Sequence, residues 1–114
     1  MNKQIKRVYE KAFLSGGEMY LPTSEIEEYI NACNSLGIAI IAVDFFKIKI
    51  KEKSIQPLET LSGFDASNLF DETLARIQNV INCNSFILDC YKKSKSNLGG
   101  YHFTTVEEYN LEQN

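Results

Sequence analysis

The sequence predicts a small α+β domain, and three observations carry that prediction. The run LGIAIIAVDFFKIKIK over residues 36–51 is the most apolar stretch, rich in the branched and aromatic residues that strands prefer. Before and after this run, apolar residues recur at the spacing of amphipathic helices. A length of 114 residues is that of one domain with its own core. We therefore predict a sheet of two to four strands centred on residues 38–50, packed by about three helices.

The first helix is predicted over residues 3–14, where apolar side chains recur at helical spacing. Its stripe consists of Ile5, Val8, Tyr9, Ala12 and Phe13. The residues Ser15-Gly16-Gly17 are expected to end this helix, and residues 18–21 before Pro22 are expected to be extended.

The second helix is predicted to begin at Glu25, because Ser24 and Glu27 have the spacing of a capping box. Its buried stripe consists of Ile26, Tyr29, Ile30 and Cys33. Gly37 suits the left-handed position just past a helix end, so the chain is expected to enter the central strand from there.

The central strand is apolar on both faces in its first half and on one face in its second half. We therefore expect cover on both sides where it enters the sheet and on one side where it leaves. Asp44 is the exception in this run. It is either the buried acid of an active site, with a pKa raised by desolvation, or a residue that meets solvent or a neighbouring loop. We favour the second interpretation.

The longest helix is predicted over residues 71–95, with two adjacent apolar lines that form a broad buried face. The lines are Leu74, Ile77, Ile81, Leu88 and Tyr91, and Val80, Cys83, Ile87 and Cys90. Before it, Leu58, Leu61 and Phe64 are expected to hold a connection against the core. Residues 101–106 predict a last strand paired with the central one, and the tail is expected to fray.

Composition favours a cytoplasmic protein. The charged opening MNKQIKRVYEK is followed by no apolar segment, so no signal peptide is expected. Asp44 and Lys47 interrupt the apolar run before the roughly 20 residues that a membrane span needs. Three cysteines without paired spacing are expected to be reduced core residues: Cys33, Cys83 and Cys90.

No motif for catalysis or cofactor binding is found in the sequence. His102 is the only histidine, which excludes a histidine-rich metal site, and the two glycine pairs lack a nucleotide-binding pattern. We therefore expect no cofactor and no catalytic residue. A small enzyme that uses Asp44 and His102 in a common pocket is the alternative, and it requires the two side chains to meet.

Charge is distributed in blocks along the chain. Residues 18–28 and 59–72 carry only negative charges, whereas residues 76–95 are mostly positive. A net charge of −3 and a pI near 5.2 disfavour nucleic-acid binding, which needs a dominant basic face. The acidic blocks suit a basic protein partner, whose approach they would accelerate.

The segment LPTSEIEEYINACNSLGIAIIAVDFFKI, followed by ETLSGFDASNLFDE and the helix with NCNSFI, resembles the small α+β immunity proteins of bacterial polymorphic-toxin and contact-dependent growth inhibition systems. The resemblance covers roughly residues 10–107 and lies in a capped helix and a hydrophobic strand. It implies a single immunity-protein-like domain without catalysis of its own. Such a protein binds a cognate toxin domain and blocks its active site or substrate surface.

Where the toxin is a nuclease, an acidic immunity protein would mimic the charge of nucleic acid. The candidate partner-binding residues are carboxylates of the acidic blocks and one aromatic residue: Glu18, Tyr20, Glu25, Glu27, Glu28, Asp65, Asp71 and Glu72. For the carboxylates at the start of the second helix, stabilisation by the helix dipole is the competing explanation. An adaptor or regulatory domain, monomeric or dimeric through a strand edge, is the non-toxin alternative.

Overall fold

The computed structural model describes residues 3–58, 62–95 and 102–109, apart from the side chain of His102. The elements in chain order are α1 (Lys3–Glu10), β1 (Phe13–Ser15), β2 (Glu18–Pro22), α2 (Ile26–Leu36), β3 (Ile40–Lys49), β4 (Ser54–Pro57), β5 (Gly63–Asp65), α3 (Arg76–Ser94) and β6 (His102–Glu108). The predicted α+β class is confirmed, with three helices in the described residues. The predicted two to four strands are too few, since these residues form six.

All strand pairs in the sheet are antiparallel. The order is β1-β2-β6-β3-β4, and β5 pairs with β3 on the edge that β4 also uses. Strand β3 is thus central, as predicted. Strand β6, the predicted last strand, pairs with it from Ile40 to Lys47.

Helix α1 ends at Glu10, four residues earlier than predicted, because Phe13–Ser15 form a strand. Gly16 and Gly17 both have positive φ angles, +59° and +79°, and form the two-residue turn of a hairpin. Such a turn matches the twist of the flanking strands. The hairpin pairs Phe13 with Tyr20, so this aromatic residue belongs to the sheet and not to the helix.

Strands β4 and β5 lie between β3 and α3, where only a connection was expected. They pair with the two halves of β3, which leaves few unpaired backbone groups along its edge. Leu58 and Phe64 pack against the core as expected. Leu61 lies outside the described residues.

Helix α2 begins at Ile26, and the predicted capping box is wrong. Thr23–Glu25 form a 3₁₀ turn that contains Ser24, and no side chain caps the helix. The predicted stripe is buried throughout. Gly37 ends the helix in the left-handed conformation with φ +70°, and the Ile38 N–H donates to the Cys33 carbonyl at 2.9 Å.

The helices cover one face of the sheet. Buried residues of all three helices form a single core with Leu21, Val43 and Phe45. The predicted cover on both sides of the first half of β3 is therefore wrong. A register shift between Ile40 and Ala42 also interrupts the alternation of side chains between the two faces. Because all residues there are apolar, this shift could not be predicted from the sequence.

Helix α3 begins at Arg76, five residues later than predicted, and buries a narrower face than expected. The line through Val80, Cys83 and Ile87 is buried, but Ile77 is 60% exposed and Ile81 is 50% exposed. Two buried asparagines explain the difference, because their hydrogen bonds turn a polar part of the helix inward. These residues are Asn79, which binds the backbone of Asp71, and Asn84, which binds the backbone of Ile38 and Ile40.

Candidate protein-binding surface

The sheet has a second face, opposite the one that the helices cover. Neighbouring residues of a strand point to opposite faces, and directly paired residues of neighbouring strands point to the same face. Since Val43 and Phe45 point into the core, Asp44 and Phe46 point away from it. We call this second side the open face. The residues of this face that concern the candidate site lie on four strands and are Phe13, Glu18, Tyr20, Asp44, Phe46, Phe103, Thr105 and Glu107.

Four aromatic rings lie together on the open face. Tyr20 contacts Phe46 edge to face with the ring centroids 5.2 Å apart, and Phe13 lies 6.4 Å from both Tyr20 and Phe103. Phe46 and Phe103 are direct cross-strand partners. All four side chains are half-buried, so each keeps part of its surface accessible to a partner. Aromatic clusters of this kind often anchor protein interfaces.

Carboxylates lie beside the aromatic cluster. A shallow depression of about 400 Å³ is lined by Glu18, Tyr20, Asp44, Phe46, Thr105, Val106 and Glu107. All three carboxylates are exposed. Within residues 3–58, 62–95 and 102–109, none of them has an ion-pair partner. The depression therefore carries uncompensated negative charge, which attracts cationic groups.

Strand β5 completes this end of the open face. Its Gly63 pairs with Asp44, and a Cβ atom at Gly63 would lie only 2.1 Å from the Val43 carbonyl oxygen. Asp65 pairs with Ala42, which also pairs with Glu107, so both acids lie on the open face. The backbone N–H of Ser67 donates to Asp65 at 2.7 Å, and hydrogen bonds from Ser67 lower the pKa of Asp65.

Three of the predicted site residues lie instead on the helical side, which is the side of the sheet that the helices cover. Each of them has a basic partner in its own chain. Glu25 pairs with Lys11 at 2.7 Å, Glu27 with Lys92 at 3.7 Å, and Glu28 with Arg7. These pairs join the start of α2 to α1 and α3. The negative charge of these three residues is therefore compensated within the molecule.

The remaining two predicted site residues precede α3. Asp71 accepts hydrogen bonds from the backbone N–H and the hydroxyl of Thr73, at 2.9 and 2.6 Å, and these bonds lower its pKa. Glu72 lines a different cavity, of about 330 Å³, next to Arg76. The structure thus brings Glu18, Tyr20 and Asp65 together and separates them from the other five predicted residues.

The open face includes residues that sequence reasoning missed, among them Phe46, Phe103, Thr105 and Glu107. Side chains two positions apart in a strand share a face, so the sequence could have predicted that Phe46 lies on the same side as Asp44. The contributions of β6 depend on its register against β3, in which Thr105 pairs with Asp44. A register between distant segments cannot be read from a single strand.

The structure contradicts the interpretation of Asp44 as a buried acid, because its side chain is exposed. The backbone of Asp44 pairs with Thr105, whereas that of His102 pairs with Lys47. Three positions along a strand correspond to about 10 Å. The side chain of His102 lies outside the described part of the chain, so the pairing of these two residues in an enzyme stays a prediction.

A buried polar cluster lies on the other side of the sheet, between α2 and β6. The Tyr29 hydroxyl donates to the Glu108 carboxylate, and the Cys33 sulfur lies 4.0 Å from the same oxygen. Burial raises the pKa of Tyr29 and raises that of the Cys33 thiol to about 12. Cys33 is therefore protonated at neutral pH and is not a nucleophile. As predicted, Cys33 and Cys83 are buried and form no disulfide, whereas Cys90 is only half-buried.

Comparison of the chain with protein-family models, curated proteins and solved structures finds no match to any of them. Among the described helices, none combines the length and the apolar character that crossing a membrane requires. The geometry of the open face is thus the basis for assigning a function.

Proposed function

We propose that this chain is a cytoplasmic immunity protein, which binds a cognate toxin domain and blocks its active site or substrate surface. One observation supports the proposal best: the open face carries four clustered aromatic rings next to carboxylates that have no basic partner in the described residues. The resemblance of the segment around the central strand to immunity proteins supplies the toxin as the class of partner.

The open face suits a basic protein surface. An arginine or lysine of the partner would enter the depression between Glu18, Asp44 and Glu107, while its stem would pack against Tyr20 and Phe46. Aromatic faces attract such cations, and carboxylates add charge-assisted hydrogen bonds. A nuclease, whose substrate groove is basic, is the toxin class that this chemistry fits best.

The predicted site residues divide under this proposal. Glu18, Tyr20 and Asp65 belong to the contact surface, together with Asp44 and Glu107. Because Glu25, Glu27 and Glu28 already pair with basic residues of their own chain, we assign them to folding. Asp71 and Glu72 lie outside the open face, and we assign them no role in toxin binding.

The test is co-expression with the C-terminal domain of the protein encoded immediately upstream. We expect tight one-to-one binding, and growth of cells that this domain alone would arrest. Absence of both binding and rescue would overturn the proposal. Binding to a partner without any toxic effect would favour the adaptor alternative.

The open face is tested by reversing one charge on it. We expect Glu107→Lys to weaken binding at least about tenfold, because it places a cation where the partner's cation binds. The control is Glu10→Lys, an equal charge change at an exposed position at the end of α1. Equal effects of the two substitutions on affinity would show that net charge, and not this face, determines binding.

A further inference from the structure

A cavity of about 330 Å³ lies at the start of α3, beside the segments that lead into β3 and out of β6. We call it the α3 cavity. Three of the residues that line it are buried and form its floor, namely Ala39, Asn79 and Val80. Cavities that bind small molecules in proteins measure roughly 300 to 1,000 Å³. The α3 cavity therefore has room for a small ligand.

The walls of the α3 cavity are largely apolar. Phe70 and Tyr109 stack on each other with their ring centroids 4.0 Å apart, and both side chains are half-buried. Leu74 also lines the cavity. Aromatic and branched side chains attract a flat or branched apolar group, which loses contact with water when it enters.

Two charged side chains of opposite sign line the same cavity. They are Glu72 and Arg76, and both are exposed. No ion pair joins them, and neither has another ion-pair partner within the part of the chain that the structure describes. A ligand in the cavity therefore meets one anion and one cation that no neighbouring side chain neutralises.

Hydrogen bonds from the protein hold the charged side of the cavity in place. The Nε atom of Arg76 donates to the Gly37 carbonyl at 2.7 Å. The Asn79 side chain accepts from the backbone N–H of Asp71 and donates to its carbonyl, both at 2.9 Å, which fixes the backbone next to Glu72. A site that is already ordered loses less conformational entropy when a ligand binds.

We propose that the α3 cavity binds a free α-amino acid with an aromatic or branched apolar side chain. The ammonium group of the ligand pairs with Glu72 and its carboxylate with Arg76, through charge-assisted hydrogen bonds. Its side chain lies on Val80, beside the two stacked rings. This site does not depend on the proposed function, because it shares no lining residue with the depression on the open face.

Titration of the full chain with L-phenylalanine, followed by the amide signals in NMR spectra, tests the site. We expect saturable binding with a Kd below about 1 mM and shifts of the amides of Ala39, Val80 and Tyr109. Phenylpropionate lacks the ammonium group and phenethylamine lacks the carboxylate, so each should bind at least about threefold more weakly. The absence of saturable binding of L-phenylalanine up to about 10 mM would overturn the proposal, as would equal binding of the three compounds.

Two substitutions test the role of each charge. Glu72→Gln should remove the preference for phenylalanine over phenylpropionate, and Arg76→Gln should remove the preference over phenethylamine. The controls are Glu10→Gln and Lys51→Gln, which remove the same charges at exposed positions outside the cavity and should keep both preferences. Each preference is a ratio within one variant, so a general loss of stability does not imitate its loss. Preferences that persist in Glu72→Gln and Arg76→Gln would overturn the proposal.

Discussion

Asn84 shows how a single polar residue determines the position of the central strand. Its side chain is 1% exposed and lies in α3. Its amide donates to the Asn34 side chain and to the Ile38 carbonyl, at 2.8 and 2.9 Å, and accepts from the Ile40 N–H at 2.8 Å. The backbone groups where the chain enters β3 would otherwise be buried without partners, which is costly.

Asn84→Ala should therefore lower the free energy of unfolding by about 2 to 4 kcal/mol, because it leaves buried backbone groups unsatisfied. Urea denaturation measures this change. The control is Asn82→Ala in the same helix, whose hydrogen bond to Gln78 is exposed and whose effect should stay within about 0.5 kcal/mol. Equal effects would contradict the role assigned to Asn84.

Gly63 is the second residue with a specific steric role. We expect Gly63→Ala to destabilise the protein much more than Gly16→Ala, although both glycines have positive φ angles. An alanine Cβ at residue 63 would collide with the Val43 carbonyl oxygen, whereas nothing lies within 4 Å of one at residue 16. Gly16→Ala should cost about 1 to 2 kcal/mol for its left-handed conformation alone. Thermal unfolding of both variants checks the order, and similar losses would show that β5 moves away at little cost.

Among the elements, α2 connects the layers of the molecule. Its outer side pairs with α1 and α3 through Glu28 and Glu27. Its inner side places Tyr29 and Cys33 against Glu108 of β6. Exposed ion pairs contribute little, typically less than about 1 kcal/mol each. The buried side chains of α2, which include Ile26, Tyr29, Ile30 and Cys33, therefore contribute more to its attachment than the ion pairs do.

Because Tyr29 and Cys33 are buried, we expect the protein to lose stability at alkaline pH. The ordinary pKa values of Cys and Tyr are 9.0 and 10.0, and burial raises the pKa of Cys33 to about 12 and also raises that of Tyr29. Above about pH 9 the unfolded chain releases these protons and the folded chain keeps them. The folded state then binds more protons, so the free energy of unfolding falls as pH rises. Below pH 9 this contribution is fully present.

We expect the free energy of unfolding in urea to fall by at least about 2 kcal/mol between pH 8 and pH 11. Cys33→Ala should reduce that slope, since it removes one of the buried groups whose pKa is raised in the folded state. Cys90→Ala, at a half-buried position, should leave the slope closer to that of the parent. A slope unchanged by Cys33→Ala would show that this thiol does not titrate differently in the two states.

At the scale of the whole molecule, charge is arranged by face. Glu25, Glu27 and Glu28 on the helical side have basic partners, whereas Glu18, Asp44 and Glu107 on the open face have none within the described residues. The net charge of −3 is small. The distribution of charge, more than its total, therefore determines which side would attract a basic partner.

If the proposed function holds, the association rate with the toxin domain should consequently fall steeply as salt rises. Between about 20 mM and about 150 mM salt we expect a decrease of about tenfold or more, because ions screen the attraction that speeds the encounter. Stopped-flow measurement with the parent and with Glu107→Lys checks this, and the variant should show a weaker salt dependence. A rate independent of salt would exclude electrostatic steering.

The predicted elements that depend on local pattern agree best with the structure. The buried stripe of α2, the left-handed Gly37 and the central position of β3 all follow from spacing and local conformational preference. Predictions failed where two local outcomes compete. Phe13 continues the periodicity of α1 and yet joins the sheet, because the glycine turn after it brings it beside Tyr20. Ile77 and Ile81 have core-like spacing and yet face solvent.

For the candidate site, the types of residue could be predicted from the sequence, but which residues lie beside each other depends on the tertiary structure. Apolar periodicity, turn glycines and charge blocks are local properties, so they determined the α+β class, the central strand and the acidic character of residues 18–28. The open face joins residues of β1, β2, β3, β5 and β6, and only strand pairing decides which of them meet. Glu18 lines the same depression as Asp44, because strand pairing places β2 and β3 on either side of β6. Glu27 does not line it, because helix packing places Glu27 beside Lys92.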